Sequence, residues 1–595
     1  MREQLTLLRH EMARYNIQAY LIPTDDFHGS EYVGDHFKCR SYVSGFTGSA
    51  GTLLVMEDMA GLWTDGRYFL QAAAQLRGSG ITLFKMGEPG VPSVKEYLRE
   101  HLTRGMTFGF DGRCMMDGDA IQYAQIAREK EAYLDVGQDL VGIIWSDRPA
   151  LSHKPAWILE ERYSGRSCRD KLEELRHILR EEKAEYHLLA SLDDICWLLN
   201  VRGDDVESTP VILGYLLMSS SEITWYVQEA CLDDSMKAYL AGQGIQLADY
   251  DQIYEDLKIL PADSSILYDE HKTNAALSAC IPQGMTRIIR SNPTELMKAR
   301  KNPVEVENER IAHIKDGVAL SRFMYYLKTR AVAEGETEIS LADHLIRLRR
   351  EQGDYIEESF APIIGYGDHG AIVHYSANPE TDRPMEARSF VLVDTGGHYL
   401  QGTTDTTRTF VMGPLSDKEK EMYTAVLRGH INLAAARFLP GCSGQSLDIL
   451  ARGPLWDMGY EYNHGTGHGV GYLLNVHEGP NSFRIRSMPS RPHDCIMEAG
   501  MITSDEPGVY LEGEFGIRLE NLIVCLQDPE YKDFLCFEPL TMVPFEREAI
   551  LPERMTAKEI AWLDAYHQKV YEKIAPFLPE EERIWLRDIT RPLER

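Results

Sequence analysis

Hydrophobic and polar positions follow the same pattern in two segments of the chain. Residues 2–26 align without gaps to residues 169–193. Each segment has apolar residues at three-and-four spacing, which predicts an amphipathic helix, and then a short apolar run that predicts a strand. A glycine-containing stretch and further strand-like residues follow each copy. The pattern predicts two copies of one α/β domain, over residues 1–155 and 156–303.

The chain after residue 303 shows a different pattern, in which two amphipathic helices precede strands, and this order occurs twice. A polar stretch with two prolines, residues 292–305, comes before it and is typical of a linker. We expect an α+β domain over residues 304–545, built from two related halves with a site between them. Its expected helices are 306–332, 340–352, 416–438 and 446–458, and its expected strands are 371–375, 390–395, 403–412, 469–477, 500–504 and 516–526.

Two capping boxes mark helix starts in this part of the chain. One runs from Ser416 to Glu419 and the other from Thr556 to Glu559. The second lies within residues 546–595, which we expect to form a helical C-terminal extension. The apolar face of this extension favours packing on its own α+β domain, and contact with a second subunit is the alternative.

Composition and charge exclude some classes of partner. The 595 residues are 44% hydrophobic and 26% charged, which is ordinary for a globular protein. A formal net charge of −30 argues against a nucleic acid or an anionic membrane surface as partner. No apolar run reaches the roughly 18 residues that a membrane span needs. The ten cysteines contain no CxxC pair, which is typical of a reducing compartment, so we expect a cytoplasmic protein.

Five residues of the α+β part have the chemistry of metal ligands. They are Asp394 in Val-Asp-Thr-Gly, Asp405 in Thr-Thr-Asp-Thr-Thr-Arg, His468 in His-Gly-Thr-Gly-His, Glu506 in Asp-Glu-Pro-Gly and Glu520 in Arg-Leu-Glu-Asn. For each aspartate alone, a turn is the simpler interpretation, because Asp beside Gly usually marks a loop. As a set, four carboxylates and one imidazole suit Mn, Co or Fe better than tetrahedral zinc. One divalent ion would leave a buried net charge, so the set predicts two.

Four further residues are candidates for the chemistry around these ligands. Arg518 lies two positions before Glu520, so on one strand their side chains would share a face and the arginine could orient a metal-bound carboxylate. His374, His464 and His477 could transfer protons or stabilise an oxyanion. An ordinary ion pair for the arginine and structural roles for the histidines are the alternatives. Glycines between and beyond His464 and His468 argue against a helical zinc motif.

Taken in order and spacing, these motifs resemble those of the Xaa-Pro aminopeptidase (aminopeptidase P) family, in its long, three-domain cytosolic form. The resemblance covers essentially the whole chain. It rests on residues 372–375, 393–396, 402–409, 464–471, 475–480, 505–508 and 516–521, together with 44–51, 63–68 and 562–567.

The resemblance implies a fold, a cofactor and an activity. The fold would be two creatinase-type N-terminal domains without catalytic metal, followed by a pita-bread metallopeptidase domain. The cofactor would be two divalent ions per chain, most often Mn²⁺, with Co²⁺, Fe²⁺ or Zn²⁺ as alternatives. The activity would be removal of the N-terminal residue from peptides with proline in second position, by a homodimeric enzyme.

The resemblance also implies roles for the individual ligands. Asp394 would bind the first ion, Asp405 and Glu520 would bridge both, and His468 and Glu506 would complete the second. A hydroxide bridging the two ions would attack the Xaa-Pro carbonyl. Glu506 would also handle protons.

The histidines and two rival functions complete the set of expectations. His374 and His477 would stabilise the tetrahedral intermediate, and His464 would help to position substrate. An Xaa-Pro dipeptidase (prolidase) shares the ligand set and is the nearest alternative. A non-catalytic pita-bread module that binds proteins is the other, and it should lack ligands.

Overall fold

Two six-stranded sheets with one common topology form the first part of the computed structural model, which describes residues 2–486 and 494–594. Strands Ala19–Pro23 and Tyr186–Leu189 occupy the same, fourth position in their sheets. Each is antiparallel to the third strand of its sheet and parallel to the fifth. The order is Thr82–Lys85, Ala60–Thr64, Thr52–Met56, Ala19–Pro23, Thr107–Gly109 and Tyr133–Asp135 in one sheet, and Gln246–Ala248, Ile223–Val227, Gly214–Ser219, Tyr186–Leu189, Ser265–Tyr268 and Thr286–Ile289 in the other. The prediction of a repeated α/β domain is confirmed.

The repeated sequence pattern corresponds to equivalent elements in the two copies. Helices Glu3–Arg14 and Cys168–Glu181 each bury the leucines of an apolar stripe and lead into the fourth strand of their sheet. A short strand pair, Trp157–Ile158 with Val201–Arg202, is also present. The other helices of this part are Cys39–Ser44, Phe69–Gln75, Val94–His101, Asp117–Glu129, Leu140–Ile144, Leu192–Leu199, Asp234–Gly242, Ile253–Lys258 and Ala275–Cys280.

The chain divides into two compact units. The first consists of Met1–Leu159 and Arg166–Thr294, and the second of Glu160–Gly165 and Glu295–Arg595. Both α/β copies therefore belong to the first unit, while the α+β part and the C-terminal extension belong to the second. Among the described residues, no helix combines the length and the hydropathy that crossing a bilayer requires.

Helices and short antiparallel strands alternate in the second unit. Its helices are Glu161–Ser164, Pro293–Ala299 (which starts in the first unit), Pro303–Tyr326, Val332–Glu334, Glu338–Arg350, Asp417–Ala434, Gly444–Trp456, Ala557–Ile574 and Glu580–Ile589. Its strands are Tyr355–Glu358, Ile363–Tyr366, Phe390–Thr395, Gly397–Tyr399, Gly402–Thr403, Thr406–Val411, Arg437–Phe438, Gly467–His468, Ser482–Phe483, Ile502–Asp505, Gly508–Leu511, Phe515–Arg518, Asn521–Gln527 and Leu535–Pro539. A pair of helices followed by strands occurs twice in this unit, as the sequence predicted.

Both predicted capping boxes are formed. The Ser416 side chain accepts from the Glu419 backbone and opens helix Asp417–Ala434, and Thr556 does the same with Glu559 for helix Ala557–Ile574. The second helix buries one face in a hydrophobic cluster with residues of the first helix and of the loop around Phe545. Satisfied N-termini fix where these helices start.

Four of the expected strands differ from the structure. Residues 371–375 form no strand, because the 3₁₀ turn Gly367–Ala371 packs directly against Gly516, where a Cβ would lie 1.7 Å from the Gly370 carbonyl oxygen. Residues 469–477 turn back on themselves after the two-residue strand Gly467–His468. The strands expected at 403–412 and 516–526 are each interrupted, the first at 404–405 and the second at 519–520.

The polar stretch expected to be a linker, residues 292–305, is largely helical and carries a buried ion pair. Lys298 and Lys301 both point to the carboxylate of Glu478, with Nζ–O distances of 3.1 and 2.7 Å. All three side chains are nearly inaccessible to water. Two buried ammonium groups therefore share the negative charge of one buried carboxylate.

We expect Glu478→Gln to destabilise the second unit by about 3–5 kcal/mol, because it removes a buried negative charge that two buried cations contact. Thermal unfolding followed by fluorescence measures the loss. Glu514→Gln is the matched control, since its pair with Lys418 is about half exposed, at 49% and 45% of the side chains. The control should lie within about 1 kcal/mol of wild type. Equal losses in both variants would contradict the burial argument.

His567, in the C-terminal extension, should contribute a pH-dependent part of the stability. Its Nε2 accepts from the Phe545 N–H at 3.0 Å, and burial lowers its pKa to about 3. The unfolded chain therefore binds a proton below about pH 6.5 that the folded protein does not, so stability falls as the pH drops from 6.5 toward 3. Between pH 7 and pH 5, this residue should lower the free energy of unfolding of wild type by about 2 kcal/mol. The Tm at the two pH values measures this loss.

The variant His567→Asn isolates that contribution, because an amide oxygen can accept the same N–H without titrating. It should lose less stability than wild type between pH 7 and pH 5. His177→Asn, at a side chain that is 64% exposed, is the control and should keep the wild-type pH dependence. The interpretation is wrong when His567→Asn and wild type lose Tm equally over this range.

Candidate metal centre

Asp394 lies in the central strand of a three-stranded sheet. Strand Phe390–Thr395 pairs antiparallel with both neighbours, and Asp394 stands opposite Ile363 on one side and Thr407 on the other. Asp405 lies just before Thr406–Val411, in the interruption of the expected strand. In the first half of the α+β part, Asp394 therefore lies at the end of a central strand, and Asp405 lies in the interruption before the neighbouring strand.

Glu520 lies in the other strand interruption, between Phe515–Arg518 and Asn521–Gln527. Its backbone N–H donates to the Thr407 carbonyl oxygen at 3.0 Å. The Thr407 hydroxyl in turn donates to Glu520 Oε2 at 2.7 Å. Thr407 thus brings a carboxylate of the second half to the aspartates of the first half, by two hydrogen bonds to one residue.

His468 and Glu506 are joined through Ser504. The His468 backbone N–H donates to Ser504 Oγ at 2.9 Å, and Ser504 Oγ donates to Glu506 Oε1 at 3.1 Å. His468 Nδ1 lies 3.0 Å from the Gly469 carbonyl oxygen and donates to it, which leaves Nε2 with its lone pair. That lone pair is the one that a metal ion would need.

The structure brings these side chains to one place. Ligand atoms of Asp405, His468 and Glu520 lie within 4.8 Å of one another. His468 Nε2 is 3.4 Å from Asp405 Oδ2 and 3.5 Å from Glu506 Oε1. Asp394 joins them electrostatically, since Asp405 and Glu506 both raise its pKa.

Burial and mutual repulsion work against the charge of these carboxylates. Burial is the main cause that raises the pKa of Asp394 to about 6, although Arg518 opposes it. The pKa of Glu520 lies well above its usual range, first because of burial and then because of Asp405, Glu506 and Asp394. Asp394 Oδ1 is buried and has no hydrogen-bond partner among the described residues. An unpartnered carboxylate oxygen and an oxygen-rich donor set fit divalent cations.

Arg518 connects the cluster to Tyr510 and His464. Its Nη2 donates to Asp394 Oδ2 at 2.5 Å, and its Nη1 donates to the Tyr510 hydroxyl at 2.8 Å. His464 Nδ1 lies 2.8 Å from the Gly465 carbonyl oxygen, so the Tyr510 hydroxyl donates to His464 Nε2 at 2.8 Å. Burial lowers the pKa of His464 to about 4, which keeps the ring neutral.

The expectation that Arg518 and Glu520 share a strand face is wrong, because the strand ends at Arg518. The two side chains converge instead on Thr407, whose hydroxyl oxygen lies 3.3 Å from Arg518 Nε. Sequence patterns gave no signal for Thr407, Ser504 or Tyr510, since their contribution depends on contacts between distant segments. For Thr407, the sequence showed only that it belongs to the threonine-rich run around Asp405.

The two remaining histidines lie near the cluster in different ways. The His477 ring meets the His468 ring edge to face, with centroids 4.3 Å apart and planes at 86°. His374 follows Val373, whose carbonyl oxygen is 3.4 Å from Arg518 Nη2. The structure therefore places His477 in contact with a candidate ligand, and the backbone next to His374 against Arg518.

Metal binding should stabilise the protein by relieving carboxylate repulsion. At about a hundredfold excess over its Kd, Mn²⁺ should stabilise metal-free wild type by about 2.7 kcal/mol, a Tm rise of roughly 5 °C. Glu520→Gln should change the metal-free Tm little, because burial and three neighbouring carboxylates already oppose a charge at this position, but it should abolish the rise. A full Mn²⁺ response in Glu520→Gln would exclude this residue as a ligand.

Family models match the chain over four consecutive regions. Residues 4–140 and 147–305 each match a creatinase/prolidase N-terminal domain. Residues 307–527 match metallopeptidase family M24, and residues 533–593 match the C-terminal region of that peptidase family.

Curated relatives match over their whole length. A probable Xaa-Pro aminopeptidase P of Coprinopsis cinerea is 36% identical, over 99% of this chain and 98% of that protein. Aminopeptidase P1 of Arabidopsis thaliana is also 36% identical, over 100% of this chain and 99% of that protein.

Solved structures give the same result at the level of the fold. An X-prolyl aminopeptidase from Caenorhabditis elegans, described as a cytosolic enzyme with a dinuclear active site, superimposes with a TM-score of 0.93 at 32% identity, over 99% of both chains. An Xaa-Pro dipeptidase from Bacillus anthracis has a TM-score of 0.51 at 23% identity and covers 64% of this chain, so it shares the fold alone.

Proposed function

The chain belongs to the Xaa-Pro aminopeptidases of metallopeptidase family M24, and on that premise we propose that it removes the N-terminal residue from peptides with proline in second position. The expected fold class, two creatinase-type domains and a pita-bread catalytic domain, is confirmed by the family models. The observation that carries the proposal is the cluster of Asp405, His468 and Glu520, whose ligand atoms lie within 4.8 Å of one another, in a chain related to aminopeptidases P from end to end.

The five candidate ligands would divide between two metal ions. We assign Asp394 to one ion, His468 and Glu506 to the other, and Asp405 and Glu520 to both. Asp394 supports this division because its Oδ2 is already held by Arg518 and its Oδ1 has no partner among the described residues. We propose Mn²⁺ as the metal, with Co²⁺, Fe²⁺ or Zn²⁺ as alternatives, because oxygen-rich sites suit harder ions.

When bound, the metal ions supply Lewis acidity that polarises the scissile carbonyl and acidifies a water molecule. Glu506 moves the proton toward the proline nitrogen that leaves, and Ser504 holds its Oε1 so that Oε2 remains available. His374 and His477 stabilise the negative charge that develops on the carbonyl oxygen.

Arg518 and His464 act through other residues. Arg518 orients Asp394, and the Tyr510 hydroxyl links it to His464. Both ring nitrogens of His464 are bonded, one to Gly465 and one to Tyr510, so its contribution is to fix Tyr510. His464 would therefore influence substrate binding through the position of the tyrosine.

The proposal extends to assembly and location. We propose a homodimer in the cytoplasm. The C. elegans relative is described as cytosolic, and all ten cysteines of this chain are free thiols, as in a reducing compartment. Light scattering of the purified protein tests the assembly, since a mass twice the 67.6 kDa of the chain is expected.

A metal-replete preparation should contain about two divalent ions per chain and should cleave Xaa-Pro-Xaa tripeptides. Asp405→Asn should lower kcat/KM by about 10³-fold or more, because a bridging carboxylate supports the several kcal/mol that the metal ions contribute. Elemental analysis measures the metal content, and an assay for release of the N-terminal residue measures cleavage of the tripeptide.

The same assay separates the alternatives. Cleavage of Xaa-Pro dipeptides without cleavage of tripeptides would identify a prolidase. Less than about one ion per chain, together with full activity of Asp405→Asn, would refute the dinuclear hydrolase. A protein with neither metal nor peptidase activity would be the non-catalytic binding module.

A further inference from the structure

One hydroxyl group of the C-terminal extension reaches the backbone beside the metal centre. Tyr566, on helix Ala557–Ile574, is 4% exposed. Its hydroxyl lies 2.9 Å from the carbonyl oxygens of Thr541 and Val543 and 3.3 Å from Asn521 Oδ1. Arg408 Nη2 donates to the same hydroxyl at 3.1 Å.

Arg408 has an unusual environment for a buried cation. Its side chain is 1% exposed, and within the described ranges no carboxylate lies at salt-bridge distance from it. The guanidinium carbon instead lies 4.1 Å from the centre of the Phe545 ring. Burial lowers the pKa of Arg408, because desolvation disfavours the charged guanidinium.

Hydrogen bonds to oxygen offset that cost. Nη1 donates to the carbonyl oxygens of Thr407, at 2.9 Å, and of Glu520. Nη2 donates to Asn521 Oδ1 at 2.7 Å and to the Val543 carbonyl oxygen at 2.8 Å. Nε donates to the Pro544 carbonyl oxygen at 3.2 Å. With the Tyr566 hydroxyl, which shares the two N–H groups of Nη2 with Asn521 and Val543, the five N–H groups of the guanidinium meet six oxygens. The three N–H groups of a lysine could not reach all of them.

These contacts fix the residue that we propose as a bridging ligand. Thr407 accepts from the Glu520 N–H and from Arg408, while Glu520 offers its carbonyl oxygen to Arg408 and its carboxylate to the Thr407 hydroxyl. The backbone N–H, the backbone carbonyl and one carboxylate oxygen of Glu520 are all bound by two consecutive residues. The side chain of Glu520 therefore has little freedom beyond its second carboxylate oxygen.

We propose that Arg408 is a positioning residue for the bridging ligand Glu520, and that Tyr566 makes the C-terminal extension part of the metal centre by holding Arg408 and its acceptors in place. The inference rests on the proposed function, because it takes Glu520 as a metal ligand. It gives the extension a role in metal affinity in addition to its packing. Neither residue touches substrate or the reacting atoms.

Loss of this support should weaken metal binding. The residues that orient metal ligands typically change metal affinity by about 10–100-fold when mutated. Tyr566→Phe keeps the ring and removes the hydroxyl, so we expect Mn²⁺ binding to the metal-free full-length protein to weaken by about tenfold. Arg408→Lys keeps the charge and loses the planar fork, so we expect a loss of about a hundredfold. Isothermal titration with Mn²⁺ measures both.

Tyr423→Phe is the matched control. Tyr423 is buried in the same hydrophobic cluster as Tyr566, and its hydroxyl accepts from the Glu546 N–H at 2.9 Å. Its loss should lower Tm as the loss of the Tyr566 hydroxyl does, but should leave the Kd for Mn²⁺ within about twofold of wild type. Saturating Mn²⁺ should restore the kcat of Tyr566→Phe to near wild type, because only the position of the ligand is affected.

Three results would overturn the inference, and two of them concern the Kd: a wild-type Kd in Tyr566→Phe, or equal weakening in Tyr566→Phe and Tyr423→Phe. A kcat that stays low at saturating Mn²⁺ would also overturn it. Tyr566→Phe remains informative where Arg408→Lys does not fold. A wild-type protein that binds no Mn²⁺ would instead refute the proposed function. The inference alone fails when wild type binds Mn²⁺ and the variant binds it equally well.

Discussion

The electrostatic conflict among the buried carboxylates is the constraint on which the catalytic unit depends. Burial raises the pKa of Glu520 well above its usual range and that of Asp394 to about 6, and neighbouring carboxylates raise the pKa of both residues further. A core that gathers such groups is stable only where other contacts fix them or where cations neutralise them. In the structure, backbone hydrogen bonds fix these groups, and neutralisation of their charge would come from two divalent ions.

The two halves of the catalytic unit meet at this point through Thr407. The Glu520 N–H to Thr407 carbonyl bond joins them between two interrupted strands, where each backbone is free to present a side chain toward the centre. An uninterrupted ladder would direct neighbouring residues to opposite faces of the sheet. The breaks at Asp405 and Glu520 are therefore what allows both carboxylates to face the same point, within 4.8 Å of each other.

Much of the fold followed from periodicity and capping, but little of the geometry of the site did. The repeat of residues 2–26 and the capping boxes at Ser416 and Thr556 are local patterns, so the sequence alone predicts their helices. The interruption at Glu520 is invisible in an apolar, strand-like run, because it is caused by a contact with Thr407, more than a hundred residues away. The ligand types could be recognised, whereas the contacts that orient them depend on the assembled fold.

The glycines around His468 have the same kind of explanation. In sequence they argue against a helix and suggest only a turn. In the structure a Cβ on Gly467 would lie 1.8 Å from the Ser504 carbonyl oxygen, so only glycine allows the His468 strand to approach the strand that leads to Glu506. That approach lets one hydroxyl, Ser504 Oγ, serve both the His468 backbone and the Glu506 carboxylate. The spacing of these two candidate ligands is therefore determined by the absence of a side chain between them.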